Sequence, residues 1–328
     1  MPLRAFLKMK IAVVGCGHWG KNLIRNFNEL GVLSAVCDSN DESLEFIRNN
    51  HPRIETLKNF EELLTRDDID GLVIATPAST HYKLARKSLE AGKNVYVEKP
   101  LATKLEEAEE LQRIAEEQDL VLMVGHLLLY HPAVNKLKNL IEAGELGDIQ
   151  YVNSDRRNFN RSHRRDANAM WDLAPHDFSM MSYILSSEPS EITCARGWAS
   201  SDDGVIDVVH IDFVFENNIG AHIHNSWLDP QKQAMLTVNG SKKTAVLNDT
   251  FKENKLEIYS RNEDGSITVE KPVYSNDEPL RLECKHFLDC IEHKQKPTSD
   301  GMNGTQVVGY LQNCQQQLEL NRKEFLAA

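Results

Sequence analysis

A glycine-rich motif placed directly after a short apolar run constrains the fold of this chain more than any other feature. The run at 10–14 is apolar from its second residue onward, as expected of a parallel strand buried on both faces. It leads without a gap into the motif G-x-G-x-x-G at 15–20, and a helix is predicted over 21–30. The free N–H groups and positive dipole end of such a helix attract phosphate. This order of strand, turn and helix predicts a dinucleotide-binding unit.

Each glycine of the motif has its own physical role. Gly15 permits the tight turn, Gly17 lets the backbone approach a pyrophosphate, and Gly20 lets the helix pack closely on the strand. His18 and Trp19 lie between these glycines. We therefore expect all five residues to belong to the cofactor-binding loop.

An acidic residue ends the next predicted strand, at 33–37. Asp38 follows Gly15 at close to the spacing of about 20 residues at which an acid binds the ribose hydroxyls of NAD. Its charge would repel the 2′-phosphate of NADP, and neither Ser39 nor Asn40 supplies the arginine that would attract it. The expected cofactor is therefore NAD.

Helices and strands continue to alternate as far as residue 125. Further strands are predicted at 70–75, 95–97 and 120–125, with helices over 42–49, 60–65, 82–91 and 104–118. Strands that are joined through helices in this way pair in parallel. Residues 1–125 are therefore predicted to form a Rossmann domain, an α/β fold with a doubly wound parallel sheet.

A carboxylate, an amine and a proline follow the predicted strand at 95–97. Pro100 cannot continue a central strand and favours an extended conformation of Lys99. Lys99 is thus expected at the carboxyl end of the strand, where open α/β sheets bind their ligands. Taken by themselves, Glu98 and Lys99 favour a solvated strand end, because lysines are mostly exposed, and only the motifs elsewhere in the chain reverse this interpretation.

The second half of the chain is rich in strand signals. After a helix predicted over 133–143, strands are expected at 149–154, 192–195, 205–215, 220–227, 234–239, 244–248, 255–260 and 267–273, and closing helices over 278–293 and 306–320. Residues 126–328 are therefore predicted to form an α+β domain with a large, mostly antiparallel open sheet. This domain would bind substrate and mediate oligomerisation, and its last helices could pack back on the first domain.

Two short motifs within this pattern resemble those of a known family. The segment A-T-P-x-x-x-H at 75–81, followed by E-K-P at 98–100 after the glycine-rich turn, resembles the Gfo/Idh/MocA oxidoreductase family. The resemblance implies that Lys99 lies at the reaction centre and that Glu98 lies near the nicotinamide. It also implies that three residues lie near the dinucleotide, namely Thr76, Pro77 and His81.

A further motif in the second half matches the same family. Asp172 and His176 are four residues apart, so on a helix they share one face. Pro175 is best tolerated in a first turn, which predicts that the helix begins near Asp172. The resemblance implies that His176 lies beside the reacting hydroxyl and that Asp172 orients it, although Pro175 departs from the simpler forms of the motif.

Arginines are concentrated between residues 155 and 166, in a chain of net charge −12. They are Arg156, Arg157, Arg161, Arg164 and Arg165, with His163 among them. Guanidinium groups bind phosphate and carboxylate in a bidentate manner, which favours a site for an anionic substrate such as a nucleotide-sugar diphosphate. A solvated loop, or a subunit contact in which the arginines pair with excess acid, explains them equally well.

Other residues are candidates for the substrate pocket. Tyr130 and His131, together with His126, precede the helix at 133–143 and could either face the pocket or form hydrogen bonds in its lining. His222 and His224 alternate on one predicted strand, but no carboxylate or cysteine lies near them in sequence at ligand spacing, so no metal site is expected. The candidate substrate-binding residues are Tyr130, His131, Arg156, Arg157, Asn158, Arg164 and Trp227.

Composition argues against several classes of protein. A net charge of −12 does not suit a general nucleic-acid or acidic-membrane binder. No apolar run is long enough to span a bilayer, and the N-terminal segment is too short and interrupted for a signal peptide. The six cysteines are scattered and include no C-x-x-C pair, so they are expected to be reduced thiols. We expect a cytoplasmic protein with no nucleic-acid or membrane partner.

Three longer stretches indicate a branch of the family. Residues 20–27, 125–132 and 171–177 resemble the branch that oxidises C3 of UDP-N-acetylglucosamine with NAD. The resemblance implies a 3-keto product that feeds an aminotransferase in lipid A-type glycolipid (lipopolysaccharide) synthesis, and a homodimer or homotetramer. The alternatives are 3-dehydrogenation of the UDP-linked uronate, oxidation of a free sugar or inositol, and, from different classes, an NAD-dependent glycosidase or a non-catalytic regulator.

Overall fold

The computed structural model describes residues 9–159, 167–201 and 204–327, the side chains of 217 and 321–327 excepted. The chain divides into two compact units. The first unit runs to Leu127 and also takes in Glu278–Val308, while the second comprises Leu128–Asp277 and the residues from Gly309 onward. The sequence analysis assigned 278–308 to the second domain but left open that its last helices pack back on the first, and the structure places these residues in the first unit.

Helices and strands alternate strictly before the second unit begins. In chain order they are β1 (Ile11–Val14), α1 (Gly20–Glu29), β2 (Leu33–Cys37), α2 (Asp41–Asn50), β3 (Glu55–Leu57), α3 (Glu61–Leu64), β4 (Gly71–Ile74), α4 (Ala78–Glu90), β5 (Asn94–Val97), α5 (Leu105–Glu117) and β6 (Leu122–Val124). The six strands form a parallel sheet in the order β3-β2-β1-β4-β5-β6. Every residue of β1 and β4 is buried, which explains their unbroken apolar sequences. The predicted doubly wound sheet is confirmed.

The strand order reverses between β1 and β4. Val14 pairs with Ile74, so the loops that follow these two strands leave the same edge of the sheet side by side. Ligands of open α/β sheets bind in the crevice at such a reversal, beyond the carboxyl ends of the strands. The glycine-rich motif and the segment at 75–81 both lie at this edge.

The rest of the chain forms a larger sheet with flanking helices. Its elements are α6 (Pro132–Glu142), β7 (Ile149–Phe159), α7 (Ala169–Leu185), β8 (Pro189–Trp198), β9 (Val208–Phe215), β10 (Gly220–Ser226), β11 (Leu228–Gly240), β12 (Thr244–Asn248), β13 (Leu256–Arg261) and β14 (Ile267–Glu270). Two helices follow: α8 (Pro279–His293) belongs to the first unit, and α9 (Gly301–Ala327) begins in the first unit and ends in the second. The eight strands lie in the order β14-β13-β12-β11-β7-β10-β9-β8, and only β7 and β10 pair in parallel. The predicted, mostly antiparallel open sheet is confirmed.

Several elements, among them β7 and α9, extend further than the sequence predicts. Strand β7 continues to Phe159, through the first two arginines of the basic stretch, because it pairs with β10 on one side and β11 on the other. Helix α9 begins at Gly301 instead of residue 306, since the Asp300 side chain accepts a hydrogen bond from the Asn303 N–H (2.9 Å). Gly304 then lets the helix lie against β6, where a Cβ would come within 2.6 Å of Val124.

The predicted start of α7 is wrong by three residues. The helix begins at Ala169, because the Asn168 side chain caps it by accepting a hydrogen bond from the Trp171 N–H (3.0 Å). Pro175 therefore lies inside the helix, where its ring nitrogen cannot donate to the Trp171 carbonyl. The helix persists because its face packs on β7, β9 and β10, with the Phe178 and Phe213 rings 5.1 Å apart.

No helix among the described ranges is both long and apolar enough to cross a membrane.

A buried ion pair joins α7 to the sheet of the second unit. Asp177 is fully buried and accepts hydrogen bonds from Ser154 (2.7 Å), Arg156 (3.0 Å) and Asn225 (2.9 Å). A buried carboxylate is tolerated only when it is paired and hydrogen-bonded in this way.

We expect Asp177→Ala to destabilise the fold by about 3–5 kcal/mol, because it leaves the Arg156 charge buried without its partner. The measurement is the shift of the urea unfolding midpoint. The control is Asp68→Ala, which breaks an Arg–Asp pair whose aspartate is 41% exposed and should change the midpoint little. Equal shifts for the two variants would contradict this account of Asp177.

Candidate active site

The glycine-rich loop has the geometry that a dinucleotide site requires. Gly15 has a φ of +101°, and a Cβ there would lie 2.6 Å from the Ala75 carbonyl oxygen. A Cβ at Gly20 would collide with the Gly15 carbonyl, so both positions need glycine for packing. A Cβ at Gly17 would meet nothing within 4 Å, which leaves its backbone open to a ligand. The residues present therefore fit NAD.

Asp38 lies beside this loop at the end of β2. One carboxylate oxygen accepts a hydrogen bond from the Cys16 backbone N–H (2.6 Å) and the other from the Asn40 N–H (2.8 Å). Burial and the neighbouring Asp38 charge raise the pKa of the Cys16 thiol to about 12, so the thiol stays neutral. The carboxylate is thus held in place at the edge of the loop, where a ribose would lie.

His81 connects the loop after β4 to the loop after β5. The ring is buried, with Nδ1 2.7 Å from the Pro100 carbonyl oxygen and Nε2 2.8 Å from the Thr76 carbonyl oxygen. Thr76 Oγ1 also lies 2.7 Å from the Thr80 hydroxyl, and Pro77 immediately precedes α4. His81 therefore supports the loops after β4 and β5 from within the protein, and its place near the dinucleotide stays a prediction.

Glu98 is held by donors from two elements of the first unit. The exposed indole of Trp19 donates to Glu98 Oε1 (2.5 Å), and the Tyr96 hydroxyl donates to the same oxygen (3.2 Å). Gly125 leaves room for the carboxylate, since a Cβ there would lie 2.9 Å from it. Burial raises the pKa of Glu98, while Trp19, Lys99 and Tyr96 oppose that shift. The sequence analysis did not single out Tyr96 or Gly125, although a hydroxyl inside a buried strand was a signal.

Lys99 lies two residues beyond the end of β5 and is half-buried. Nearby, His126 is buried and its Nδ1 lies 2.6 Å from Asn303 Oδ1. Burial lowers the pKa of His126 to about 4, with a further contribution from the Lys99 charge, although the Asn303 hydrogen bond opposes it. The imidazole is therefore neutral and Nδ1–H donates to Asn303. His18, by contrast, is exposed on the loop.

Within the second unit, α7 carries Asp172 and His176 on one face. Asp172 is buried and accepts a hydrogen bond from the Trp227 indole (3.2 Å), while His176 is half-buried one turn further along. Trp227 is 0% exposed and packs with Ala169 and Leu173. A substrate contact of Trp227 stays a prediction. Its indole holds Asp172 from within the core.

Tyr130 and His131 also lie largely within the protein. His131 Nδ1 accepts a hydrogen bond from the Ala133 N–H (3.1 Å) and so caps α6, while Nε2 lies 3.4 Å from Asp249 Oδ1. Burial raises the pKa of Asp249, but His131 and Lys255 outweigh it and hold that pKa well below its usual value. His131 thus has hydrogen-bonding partners within the second unit, and a substrate contact of Tyr130 or His131 stays a prediction.

Carboxylates of the protein engage both arginines of the basic stretch that fall within the described ranges. Arg156 pairs with the buried Asp177, and Arg157 contacts Asp155 (2.7 Å), Asp229 (2.8 Å) and Gln233 (2.6 Å). The nearby Asn158 Oδ1 is buried without a hydrogen-bond partner among the described residues. Arg161, His163, Arg164 and Arg165 lie outside the described residues. Pairing with acidic residues thus accounts for the first two arginines without a substrate.

Acidic neighbours of the sheet histidines are present after all. His222 Nδ1 lies 2.7 Å from Asp212, and His224 Nδ1 lies 3.2 Å from Asp155, with the His210 ring stacked on His224 at 4.2 Å. The sequence analysis considered only ligands beside these histidines in sequence, whereas Asp212 comes from the neighbouring strand β9 and Asp155 from β7. Within the described ranges, three ligand atoms come within 4.8 Å of one another only on α8, at Asp289, Glu292 and His293.

Known proteins resemble this chain along most of its length. Residues 9–126 match the model of an oxidoreductase family with an NAD-binding Rossmann fold. Residues 134–246 match the GFO/IDH/MocA C-terminal domain. The UDP-N-acetylglucosamine 3-dehydrogenase of Acidithiobacillus ferrooxidans is 26% identical over 92% of this chain and 95% of its own. The scyllo-inositol 2-dehydrogenase (NAD(+)) of Bacillus subtilis is 23% identical over 74% of each chain.

A solved structure agrees with these matches. The structure of the Acidithiobacillus dehydrogenase superposes with a TM-score of 0.84, at 25% identity, over 95% of this chain and 98% of the other. Together with a parallel sheet that carries a dinucleotide-type glycine loop and a second, mostly antiparallel sheet, these matches show that the chain belongs to the GFO/IDH/MocA oxidoreductase family.

Proposed function

We propose that this protein catalyses the NAD-dependent oxidation of the C3 hydroxyl of UDP-N-acetylglucosamine to the 3-keto sugar. The observation that carries the proposal is the similarity to the Acidithiobacillus 3-dehydrogenase along nearly the whole of both chains. This chain itself has the lysine of E-K-P, Lys99, and the aspartate and histidine of D-x-x-x-H, Asp172 and His176.

The cofactor preference rests on Asp38. When bound, NAD supplies the acceptor for the hydride that leaves the substrate carbon. Asp38 would bind the ribose hydroxyls, and its negative charge disfavours the additional phosphate of NADP. Trp19 and Glu98 would border the same loop, and the open backbone at Gly17 would face the pyrophosphate.

The proton chemistry falls to Lys99 and His176. The imidazole of His176 would remove the hydroxyl proton as general base while the hydride leaves. The Lys99 ammonium would donate to the same oxygen and stabilise its developing negative charge. Asp172 would orient His176, and the Trp227 hydrogen bond keeps Asp172 in one position.

A second substrate class is favoured by two observations. The inositol dehydrogenase of Bacillus subtilis is also a relative, and Arg156 and Arg157 already pair with carboxylates of this chain. An uncharged polyol needs no additional cation, whereas the UDP-linked uronate would need one for its carboxylate. We rank the neutral UDP-sugar first, because the more extensive similarity is to an enzyme of that substrate.

The proposed keto product indicates which reaction would follow in metabolism. A 3-keto sugar nucleotide is a substrate for an aminotransferase, and the proposed destination is a lipid A-type glycolipid of lipopolysaccharide. We propose further that the enzyme works in the cytoplasm, where UDP-sugars are available, as a homodimer or homotetramer.

We expect Lys99→Ala and His176→Asn each to lower kcat by about a hundred- to ten-thousand-fold, because each removes a group that acts on the transferred proton or the charged oxygen. NADH absorbance with UDP-N-acetylglucosamine and a ketone trap measures the rate, while calorimetry should show nearly unchanged NAD affinity. Lys104→Ala, which removes an exposed lysine, is the matched control. Normal turnover by either variant would exclude its assigned role.

For the cofactor, we expect Asp38→Asn to raise affinity for NADP relative to NAD by about tenfold, equivalent to ~1.4 kcal/mol. The amide oxygen can still accept from the Cys16 N–H, so the loop is retained while the repelling charge is removed. Dissociation constants for both dinucleotides provide the test. An unchanged ratio would show that Asp38 does not select the cofactor.

Competing substrates can be separated in one set of assays. UDP-N-acetylglucosamine, its UDP-linked uronate and scyllo-inositol are each supplied with NAD and the trap, and products are identified by mass. Our proposal predicts turnover of the first alone or with the greatest kcat/KM. Preference for scyllo-inositol would instead support oxidation of a polyol as the function. Release of the aglycone without formation of NADH would indicate a glycosidase.

A further inference from the structure

A second buried carboxyl group lies behind Glu98 and has no place in the proposed chemistry. Glu283, on α8, is 0% exposed and lies one turn before Phe287, whose ring packs edge-on against Tyr96 at 5.9 Å. Both residues belong to the first unit. Acidic side chains are almost never fully buried unless they are paired, so Glu283 requires a physical explanation.

The surroundings of Glu283 do not support a charge. Neither carboxyl oxygen has a partner of ordinary hydrogen-bond geometry among the described residues. Burial raises its pKa well above the usual value, and the neighbouring Glu98 adds to the shift, while the Tyr96 hydroxyl opposes it. A carboxyl group in such a position keeps its proton and becomes a hydrogen-bond donor.

Glu98 has the donors that Glu283 lacks. It accepts from the Trp19 indole at 2.5 Å and from the Tyr96 hydroxyl at 3.2 Å, and the Lys99 charge favours its ionised form. Two neighbouring carboxyl groups cannot both ionise easily in a buried site. The single negative charge of the pair therefore belongs on Glu98.

We propose that Glu283 is a positioning residue, a neutral acid whose O–H donates to the Tyr96 hydroxyl oxygen and so directs the Tyr96 proton to Glu98. The chain of donors runs from Glu283 through Tyr96 to the Glu98 carboxylate, which Trp19 approaches from the glycine-rich loop. By fixing Glu98, Glu283 sets the position of Trp19 and organises the loop before the dinucleotide binds. The inference rests on the proposed function only for NAD as the ligand of that loop.

Binding of NAD is the quantity that such preorganisation changes. Glu283→Leu removes the donor while keeping an apolar side chain, and we expect it to weaken NAD binding about tenfold by calorimetry. Glu283→Gln keeps a neutral group whose amide N–H can donate to Tyr96, so its dissociation constant should stay within about twofold of the wild type. Rescue by glutamine is a result that loss of packing alone would not produce.

A similar pair in the second unit provides the control. Glu188 is half-buried and accepts a hydrogen bond from the Tyr310 hydroxyl at 2.9 Å. Glu188→Leu should leave NAD binding unchanged. Circular dichroism and thermal melting verify that each variant is folded before its affinity is compared.

Infrared difference spectroscopy tests the protonation state without any ligand. The infrared spectrum of the wild type minus that of Glu283→Gln should contain the carbonyl stretch of one protonated carboxyl group at neutral pH. Because glutamine is nearly isosteric, this comparison holds even if Glu283→Leu fails to fold.

Three results would overturn the proposal. They are wild-type NAD affinity in a folded Glu283→Leu, equal weakening by leucine and glutamine, and a carboxylate band in place of the protonated one. Failure of the wild type to bind NAD would refute the cofactor part of the proposed function instead, and the infrared band would then decide the protonation of Glu283 by itself.

Discussion

The close approach of backbone segments at the glycine-rich loop is the constraint on which the rest of the first unit depends. Gly15 and Gly20 exclude side chains where the loop meets β4 and the start of α1, so the loop can turn sharply at the carboxyl edge of the sheet. That turn brings Trp19 to Glu98, at the end of β5. A side chain at either glycine would displace the loop from the position that its hydrogen bonds require.

Each unit uses a tryptophan indole to hold an acidic residue next to a candidate catalytic group. Trp19 donates to Glu98, which precedes Lys99, and Trp227 donates to Asp172, one turn before His176. An indole is a donor only, so it stabilises a carboxylate and never competes with it as an acceptor. Glu98 and Asp172 are thus positioned by rigid aromatic donors, which restrict where the neighbouring lysine and histidine can lie.

Whether the role of a residue could be predicted depended on where its interaction partners lie along the chain. The alternation of helix and strand, the glycine loop and Asp38 depend on local order along the chain, and the structure contains them where they were expected. Arg156 and His222 were interpreted without their acidic neighbours, because Asp177 and Asp212 come from other elements. A charge can be assigned to solvent, ligand or protein only when its partner is known.

By itself the sequence determined the fold class, the dinucleotide motif and the family resemblance, because these depend on periodicity and short-range spacing. Tertiary structure decided which polar groups are buried and what satisfies them. It placed Trp227 in the core, made His131 a helix cap and left Glu283 behind Tyr96 without a charged partner. The physical reason is that desolvation and hydrogen bonding act between residues that are close in space, whatever their separation along the chain.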